Sequence, residues 1–455
     1  MSQPYDLQYD IYTLPFALCL LSLWLCSVRL CFRSGRRGWE GIITSFIGFT
    51  WVTFGLHFLL RFAFLSWDSE TYQRTHVPMW SIEPSTINSA LAVAGLYWVF
   101  LCAGYAIGVR GRGPGLLAPV SRLDATWDPR AGDTVAVIAG LSLFFFGAQH
   151  VEVPVPRWLL TPLGLIGALW PIPASIAWGA WHRPGEDRSR WGARRWFYML
   201  PGFVMVAVLP YRERMLQFLL VPLVAAISAG RRISLGRVFV FATVILLLST
   251  AGMSSYRKIL WEQMTVTEAT ENLDPEMWET GAEKAPWVDI VRRFHGFDSL
   301  TLTLAYVPQV YPFEGRNFLF DILIQLIPRA IYPEKPLWER SAEFSIKIWG
   351  YGLPEERLGT KIAPSMAGDL YSSGGYLAVV MGAMFWGLVI GALEGWKDRL
   401  PPIPATMVLA FLFTAFLGAI ERDVVLVVAS TVQLLVVFLV VTVLITHGAA
   451  MVQPK

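Results

Sequence analysis

The chain has 455 residues, of which 55% are hydrophobic and only 16% are charged, and its mean hydropathy is +0.48. Its length would suit roughly two or three soluble domains, but this composition excludes them and predicts an all-α polytopic membrane protein. The net charge of +3 says little about partners, because the placement of charges in a membrane protein matters more than their sum.

Apolar runs of about 20 residues, the length that a helix needs to cross the hydrocarbon, predict about 11 membrane spans, within a range of 10 to 12. Two of these runs are short, and Tyr211-Arg212-Glu213-Arg214 separates them. This pair is either two tilted helices or a re-entrant pair. The predicted spans are residues 12–32, 41–64, 87–109, 133–150, 157–180, 196–210, 215–229, 236–254, 375–393, 403–420 and 424–446.

Lysine and arginine are concentrated in every second loop, after the first, third, fifth, seventh and ninth predicted spans. Short basic loops face the cytoplasm, so this alternation predicts an outer N-terminus and a cytoplasmic C-terminus. It divides the chain into an N-terminal bundle of about eight spans (1–254), a large outer loop (255–374) and a C-terminal bundle of about three spans (375–455). We expect the loop to be folded and to cover a functional site, because plain connections are much shorter.

Arginines also occur at two predicted outer turns, where the positive-inside bias disfavours them. These are Arg212-Glu213-Arg214 and Glu421-Arg422-Asp423. Charged groups near the membrane are costly and tend to be functional or paired. Arg422 therefore either binds a ligand or pairs with its acidic neighbours, and the same alternatives hold for Arg212 and Arg214.

The outer loop contains a candidate acid–base group. Apolar residues at helical spacing predict an amphipathic helix over 289–304, and Arg292, Arg293, His295 and Asp298 surround it. A histidine beside a carboxylate can act as a general base, and the arginines can bind phosphate. The alternative is an interfacial helix whose arginines contact lipid headgroups.

A second apolar run, 317–332, is too short to span, so we predict an interfacial or re-entrant helix capped by Asn317. Pro328 should end this helix and place Arg329 at the level of the lipid phosphates. The turn Tyr332–Pro336 should fix Lys335 near the same level. A purely structural proline turn is the competing interpretation.

The segment Gly368–Gly375 leads into the ninth predicted span. Asp369 and Tyr371 would lie at the membrane edge, where such groups suit sugar hydroxyls, and Ser372 or Ser373 is the expected N-cap of the span. The chain contains no P-loop, no His-Glu-x-x-His motif and no dinucleotide fingerprint, so ATP hydrolysis and metalloprotease chemistry are not expected.

Four elements together resemble the Wzy-type oligosaccharide repeat-unit polymerases of O-antigen and common-antigen synthesis. They lie within residues 196–400 and cover about a third of the chain. They are Arg212-x-Arg214 at an outer turn, Arg292-Arg293-Phe294-x-Gly296-Phe297-Asp298, Ile327-Pro328-Arg329 followed by Lys335-Pro336, and Gly368-Asp369-x-Tyr371 with Gly375.

This resemblance implies a GT-C-like glycosyltransferase in the bacterial inner membrane that joins undecaprenyl-diphosphate-linked oligosaccharides at the outer face. The implied catalytic groups are His295 or Asp298 as the base, with Asp369 as an alternative. No metal or cofactor is implied. The implied substrate-binding residues are Arg212, Arg214, Arg292, Arg293, Arg329, Lys335, Tyr371 and Arg422, of which the cations hold the diphosphate.

The expected partners are the lipid-linked oligosaccharides, membrane lipids, a chain-length regulator and a flippase, with no nucleic acid. Two alternatives remain open at the level of the sequence. A flippase or other transporter would use the same charges along a translocation path, although transporters usually place polar groups near the middle of the membrane. An O-antigen ligase would share the loop and the donor but differ in its acceptor.

Overall fold

All secondary structure in the described residues is helical, which confirms the predicted helical membrane protein. The computed structural model describes residues 13–32, 39–67, 82–111, 120–121, 129–148, 155–208, 212–234, 236, 240, 294–327, 331–332, 334–335, 340–348, 362–417 and 419–452.

The helices are named here in chain order. A 3₁₀ segment, Val28–Phe32, extends the first helix, and a π-helical segment, Gly55–Leu60, joins the third to the fourth. The helices are α1 (Thr13–Ser27), α2 (Trp39–Ile43), α3 (Phe46–Phe54), α4 (Arg61–Trp67), α5 (Pro84–Gly108), α6 (Pro129–Ala148), α7 (Arg157–Gly167), α8 (Pro171–His182), α9 (Arg188–Gly192), α10 (Arg194–Phe197), α11 (Leu200–Val208), α12 (Arg212–Ser228), α13 (Gly296–Tyr306), α14 (Phe318–Leu326), α15 (Arg340–Lys347), α16 (Met366–Lys397), α17 (Pro402–Leu417) and α18 (Val424–Val452).

Seven helical segments in the described part of the chain are long and apolar enough to cross a membrane. The predicted span at 236–254 lies outside the described residues apart from Gly236 and Val240, so the count of about 11 stays a prediction. The seven are Thr13–Phe32, Phe46–Phe64, Pro84–Gly108, Pro129–Phe146, Pro162–His182, Met366–Lys397 and Val424–Val443, and shorter apolar helices lie at Leu216–Ser228 and Pro402–Phe413.

Helices α5 and α16 pack side by side, and glycines allow their backbones to touch. A Cβ atom added to Gly104 would lie 2.1 Å from the carbonyl oxygen of Met384, and one added to Gly387 would lie 2.1 Å from that of Leu101. Along the contact, residue numbers increase in the same direction in both helices, so α5 and α16 run parallel. Small residues four apart on both helices permit this approach, as in other membrane bundles.

Helix α16 defines the two ends of the bundle, which we call the Asp369 end and the Lys397 end. At the Lys397 end, Glu394 and Lys397 form a buried ion pair of 2.5 Å. The backbone N–H of Phe46 donates to Glu394 (2.7 Å), and Lys397 donates to the carbonyl of Thr44 (2.5 Å), so α3 begins there. Asp369 lies before a break in α16 at Gly374 and Gly375, and the neighbouring Leu370 packs against Gly382 in the part of the helix that leads to Glu394.

Two further helices begin at the Asp369 end. The backbone N–H of Val424, the first residue of α18, donates to Asp369 Oδ2 at 3.1 Å. Helix α12 runs antiparallel to α17: Ser228 at its C-terminal end bonds Thr406, near the start of α17, and Gln217 donates to Ala410 at 3.0 Å. The first turn of α12 therefore points toward the end where α17 finishes and α18 begins.

The predicted amphipathic helix over 289–304 is wrong in its start and in its exposure. Helix α13 begins at Gly296, after non-helical Phe294 and His295, and its residues from Gly296 to Leu304 are all buried. Apart from Asp298, its buried polar positions are small hydroxyls that find bonds inside the protein: Ser299 donates to Ala363 at 3.1 Å, and Thr301 and Thr303 donate to carbonyls one turn earlier. The helix therefore needs no water-facing side.

The predicted N-cap of the ninth span is also wrong, and α16 starts before the predicted beginning at Gly375, although a break divides the helix at that point. Helix α16 begins at Met366, and its N-cap is Ser365, whose hydroxyl accepts from the backbone N–H of Gly368 at 3.2 Å. Ser372 and Ser373 lie within the helix and donate back to the carbonyl of Asp369. The following glycines interrupt the helix instead of preceding it, with φ −167° and ψ 28° at Gly374 and φ +66° and ψ −152° at Gly375.

Two predicted spans contain more than one helix. Residues 157–180 form α7 and α8, which are separated at 168–170, and residues 196–210 cover the end of α10 and all of α11. The short apolar run at 215–229 is α12, which also includes Arg212 and Arg214.

We predict that Gly104→Ala lowers the thermal midpoint of the purified protein in detergent, because the new methyl group overlaps a carbonyl of α16 and forces the helices apart, at about 1–3 kcal/mol. Gly95→Ala in the same helix is the matched control, since its nearest neighbour would be Leu20 at 3.7 Å. Equal thermal midpoints for the two variants would contradict this packing.

Candidate functional site

The most extensively bonded side chain at the Asp369 end is Arg340, the first residue of α15, which is only 4% exposed. Its Nε donates to Asp369 Oδ1 at 3.0 Å, its Nη1 donates to Glu314 Oε1 at 2.5 Å, and its Nη2 donates to Ser372 Oγ at 2.6 Å. All three nitrogens of the guanidinium are therefore engaged. We call Arg340, Asp369, Glu314 and Ser372 the Arg340 cluster.

Asp369 connects this cluster to a second helix. It lies in the first turn of α16 and is fully buried, and its Oδ2 accepts the backbone N–H of Val424 at the start of α18. A carboxylate at two helix N-termini is stabilised by their dipoles and by otherwise unpaired N–H groups. One buried carboxylate thus joins the starts of α15, α16 and α18.

The cluster extends to the surface through Arg316. Its guanidinium contacts Glu314 at 2.5 Å and Glu343 at 3.6 Å. Burial lowers the pKa of Arg340, but the charges of Asp369 and Glu314 more than offset this and raise it, so the guanidinium stays charged. With three carboxylates against two guanidiniums, this set is not an anion site by itself.

Tyr371 lies between Asp369 and Ser372 in the same turn of α16 and is buried. Its ring packs edge-on against Phe313, with centroids 5.8 Å apart, and against Tyr376, at 5.5 Å. The structure therefore brings the two predicted sugar-binding groups, Asp369 and Tyr371, together, and it engages the first with Arg340 and the second with aromatic rings.

A second buried ion pair joins α4 to α13. Arg61 donates to Asp298 Oδ2 from Nε at 2.9 Å and from Nη2 at 2.7 Å, and both side chains are almost fully buried. Arg61 follows the π-helical segment near the end of the candidate span Phe46–Phe64, and α13 packs against the start of α16, where Ser299 donates to Ala363. The carboxylate that the sequence suggested as a partner for His295 is thus an ion-pair partner of Arg61.

His295 lies just before α13 and is half-buried. Its ring approaches that of buried His57 from the π-helical segment, with centroids 6.4 Å apart. The His57 ring in turn meets the Phe294 ring edge-on at 5.1 Å. Two imidazoles therefore lie next to the Arg61–Asp298 pair.

Lys335 is 9% exposed and caps the C-terminal end of α14. Its Nζ donates to the carbonyl of Gln325 at 2.8 Å and to that of Ile327 at 3.1 Å. The predicted cation for the diphosphate is therefore bonded to backbone carbonyls in this structure.

Three of the remaining predicted cations lie in the described part of the chain, and three lie outside it. Arg422 is half-buried in the turn before α18, and its neighbour Asp423 caps that helix by accepting from Leu426 at 2.9 Å. Arg212 and Arg214 lie in the first turn of α12. Arg292, Arg293 and Arg329 lie outside the described residues.

Sequence reasoning missed Arg61, Arg340 and Glu314. Arg61 had a signal, because it is a charge inside the predicted span 41–64, and charges inside spans are usually paired or functional. Arg340 and Glu314 are charged residues in polar stretches, and only the tertiary structure shows their partners. Among the described residues, no group of three or more His, Cys, Asp or Glu side chains could hold a metal ion.

A family model described as "Domain of unknown function (DUF8712)" matches residues 196–444, and because this is more than half of the chain, the chain belongs to that family. The match contains the whole Arg340 cluster and helix α12, whereas Arg61 lies outside it. No curated protein and no solved structure matches the chain.

We predict that Arg61→Met or Asp298→Leu alone destabilises the protein by about 3–5 kcal/mol, because each leaves an uncompensated buried charge. The double variant should be more stable than the sum of the two losses predicts. Thermal and denaturant unfolding in detergent measure this cycle, and Arg194→Ala is the control, since its ion pair with Asp133 is over a third exposed. Additive losses would contradict a direct pair.

Proposed function

We propose, for this member of the DUF8712 family, that the chain is a membrane-embedded glycosyltransferase that polymerises oligosaccharide units carried on undecaprenyl diphosphate. The observation that supports it most is the Arg340 cluster, in which buried Arg340 pairs with buried Asp369 and with the more exposed Glu314 at one end of a helical membrane bundle. It lies where a water-exposed sugar and a membrane-embedded lipid carrier would meet.

The same end of the bundle offers positive potential to a diphosphate. Helix N-termini bear partial positive charge, and α12, α16 and α18 all begin at this end. Helix α12 begins with Arg212 and Arg214, and Arg422 precedes α18. In this proposal these arginines bind the diphosphate, while Arg340 is a positioning residue, because Asp369 and Glu314 already balance its charge.

The proposed reaction is a single transfer of a glycosyl group. A hydroxyl oxygen of the acceptor unit attacks the anomeric carbon of the donor chain, and the bond from that carbon to the diphosphate oxygen breaks. The electron pair of this bond leaves with the diphosphate, whose growing charge the arginines stabilise. The proton of the attacking hydroxyl passes to a base.

Among the three predicted bases, we favour His295. Asp298 and Asp369 are fully buried, and each already accepts hydrogen bonds from a guanidinium, so neither is well placed to take a proton. His295 is half-buried, and an imidazole changes its charge near neutral pH. Its position before α13 keeps it close to the segment that contains Arg292 and Arg293.

A flippase or transporter for the same lipid-linked oligosaccharide is the second candidate. Interrupted helices in the membrane are typical of transporters, and here the π-helical segment Gly55–Leu60 and the break at Gly374–Gly375 interrupt two spans. The buried Arg61–Asp298 pair lies beside the first of these. A ligase remains the third candidate, with the same donor and a different acceptor.

We predict that the purified protein, reconstituted in liposomes with one undecaprenyl-diphosphate-linked oligosaccharide, forms a ladder of longer lipid-linked products that mass spectrometry detects. Arg212→Ala with Arg214→Ala should slow this reaction by about 10²–10³-fold, because the leaving diphosphate loses its cations. Arg194→Ala, which removes an exposed ion pair, should leave the rate unchanged.

Three other results would contradict a polymerase. Unchanged oligosaccharide that becomes accessible to a membrane-impermeant lectin would indicate a flippase. Transfer that occurs only when a lipid A-type acceptor is added would indicate a ligase. Full turnover in the Arg212→Ala, Arg214→Ala variant would remove these arginines from the diphosphate site.

A further inference from the structure

Helix α14 starts at the Asp369 end of the bundle. The backbone N–H of Glu314 donates to the carbonyl of Ser372 at 3.0 Å, and that of Gly315 donates to Ser373 at 2.9 Å. The side-chain oxygen of Asn317 then accepts from Phe320 at 3.3 Å and caps the helix, which confirms the predicted N-cap. These bonds fix the first residue of α14 beside the second turn of α16.

The other end of α14 lies deep along α18. The side chain of Gln433 donates to the carbonyl of Gln325 at 3.0 Å. Gln433 follows Val424 by nine residues, which is about 14 Å along the helix axis, and α18 is apolar from Val424 to Val443. Gln433 therefore lies near the middle of the apolar span Val424–Val443, and the carbonyl of Gln325 that it bonds lies inside the hydrocarbon region, whose thickness is about 30 Å.

At this depth, side chains donate hydrogen bonds to the backbone carbonyls. The carbonyls of Gln325 and Ile327 lie at the end of α14, where no further helical turn can bond them. Lys335 donates to both, and Gln433 donates to the first as well. In a hydrocarbon environment an unpaired carbonyl costs several kcal/mol, so these two side chains are the internal partners that such a site requires.

The outer face of α14 is strongly apolar. Leu319, Phe320 and Leu323 are 68%, 60% and 61% exposed, while Ile322 on the opposite face is buried. Helix α18, on which α14 packs, exposes Val436 and Val440 in the same way. The exposed face of α14 is thus continuous with the apolar surface of a membrane span.

We infer that α14 is the descending arm of a re-entrant segment and is inserted into the bilayer alongside α18, since the chain is back beside Asp369 at Arg340. Its face of Leu319, Phe320 and Leu323 contacts lipid acyl chains, and Lys335 closes its deep end. Lys335 therefore belongs to the scaffold and lies below the level of the lipid phosphates. The inference does not depend on the proposed enzymatic activity.

Spin labels on single cysteines test this insertion in the full chain reconstituted in nanodiscs, with Cys19, Cys26, Cys31 and Cys102 replaced by alanine. The sites are Leu323→Cys, Val436→Cys as a lipid-facing control, and Val310→Cys as a control on the exposed turn between α13 and α14. We expect labels at 323 and 436 to collide with oxygen at least threefold more than with a water-soluble nickel complex. A label at 323 as accessible to nickel as the one at 310 would overturn the insertion, and so would protection from both reagents, which would indicate a protein partner.

A photo-crosslinking residue in place of Leu323 repeats the test with the native cysteines retained, in case their replacement prevents folding. The expected products are lipid adducts, and a lack of lipid adducts beside efficient lipid crosslinking from position 436 would overturn the inference. Lys335→Met should increase the nickel accessibility of a label at 323 severalfold, whereas Lys335→Arg should preserve the low value. Equal values for both variants would exclude the capping role of Lys335.

Discussion

The described architecture at the Asp369 end depends on the hydrogen bonds and ion pairs that the Arg340 guanidinium forms. It bonds Asp369 in the first turn of α16, Glu314 before α14 and Ser372 one turn further along α16. Through Asp369 it also fixes the start of α18. Because Arg340 and Asp369 are buried, loss of either charge would leave the other uncompensated in a medium of low dielectric constant, so this pair holds the segments together.

Buried charged groups also find partners inside the protein elsewhere in the bundle. Glu394 and Lys397 pair at one end and bond the backbone before α3, and Arg61 and Asp298 pair between α4 and α13. Lys335 donates to two backbone carbonyls at the C-terminal end of α14, which packs against α18. In each case a polar group that lipid cannot solvate finds its partner inside the protein.

The apolar runs of the sequence predicted most of the spanning helices well. Predicted spans 87–109 and 424–446 correspond to Pro84–Gly108 and to most of Val424–Val452, because hydropathy over 20 residues depends on composition and not on tertiary contacts. The Asn317 cap was also found, because an N-cap bond is local. Helix α13 was misread as amphipathic because a local pattern does not show that Asp298 pairs with Arg61 and that the hydroxyls of the helix bond within the protein.

The candidate site was harder to predict for a physical reason. Asp369 was singled out from the sequence, but its partner Arg340 lies 29 positions earlier in a stretch without a distinctive pattern. The Gly374–Gly375 pair was read as a helix boundary, since glycine permits both a boundary and an internal break. Contacts of this kind depend on how distant segments of the chain pack together, so a local sequence pattern does not reveal them.

The central claim is that the Asp369 end recognises a lipid-linked diphosphate. Binding of the lipid carrier tests this claim most directly. The affinity of the protein in nanodiscs for undecaprenyl diphosphate is compared with that for undecaprenol, which has the same chain and no charge. The account predicts that the diphosphate binds at least about tenfold more tightly, because one charge-assisted hydrogen bond contributes about 1.5–3 kcal/mol, and that Arg212→Ala with Arg214→Ala removes this difference. Equal affinities of the unaltered protein for the two lipids would contradict it.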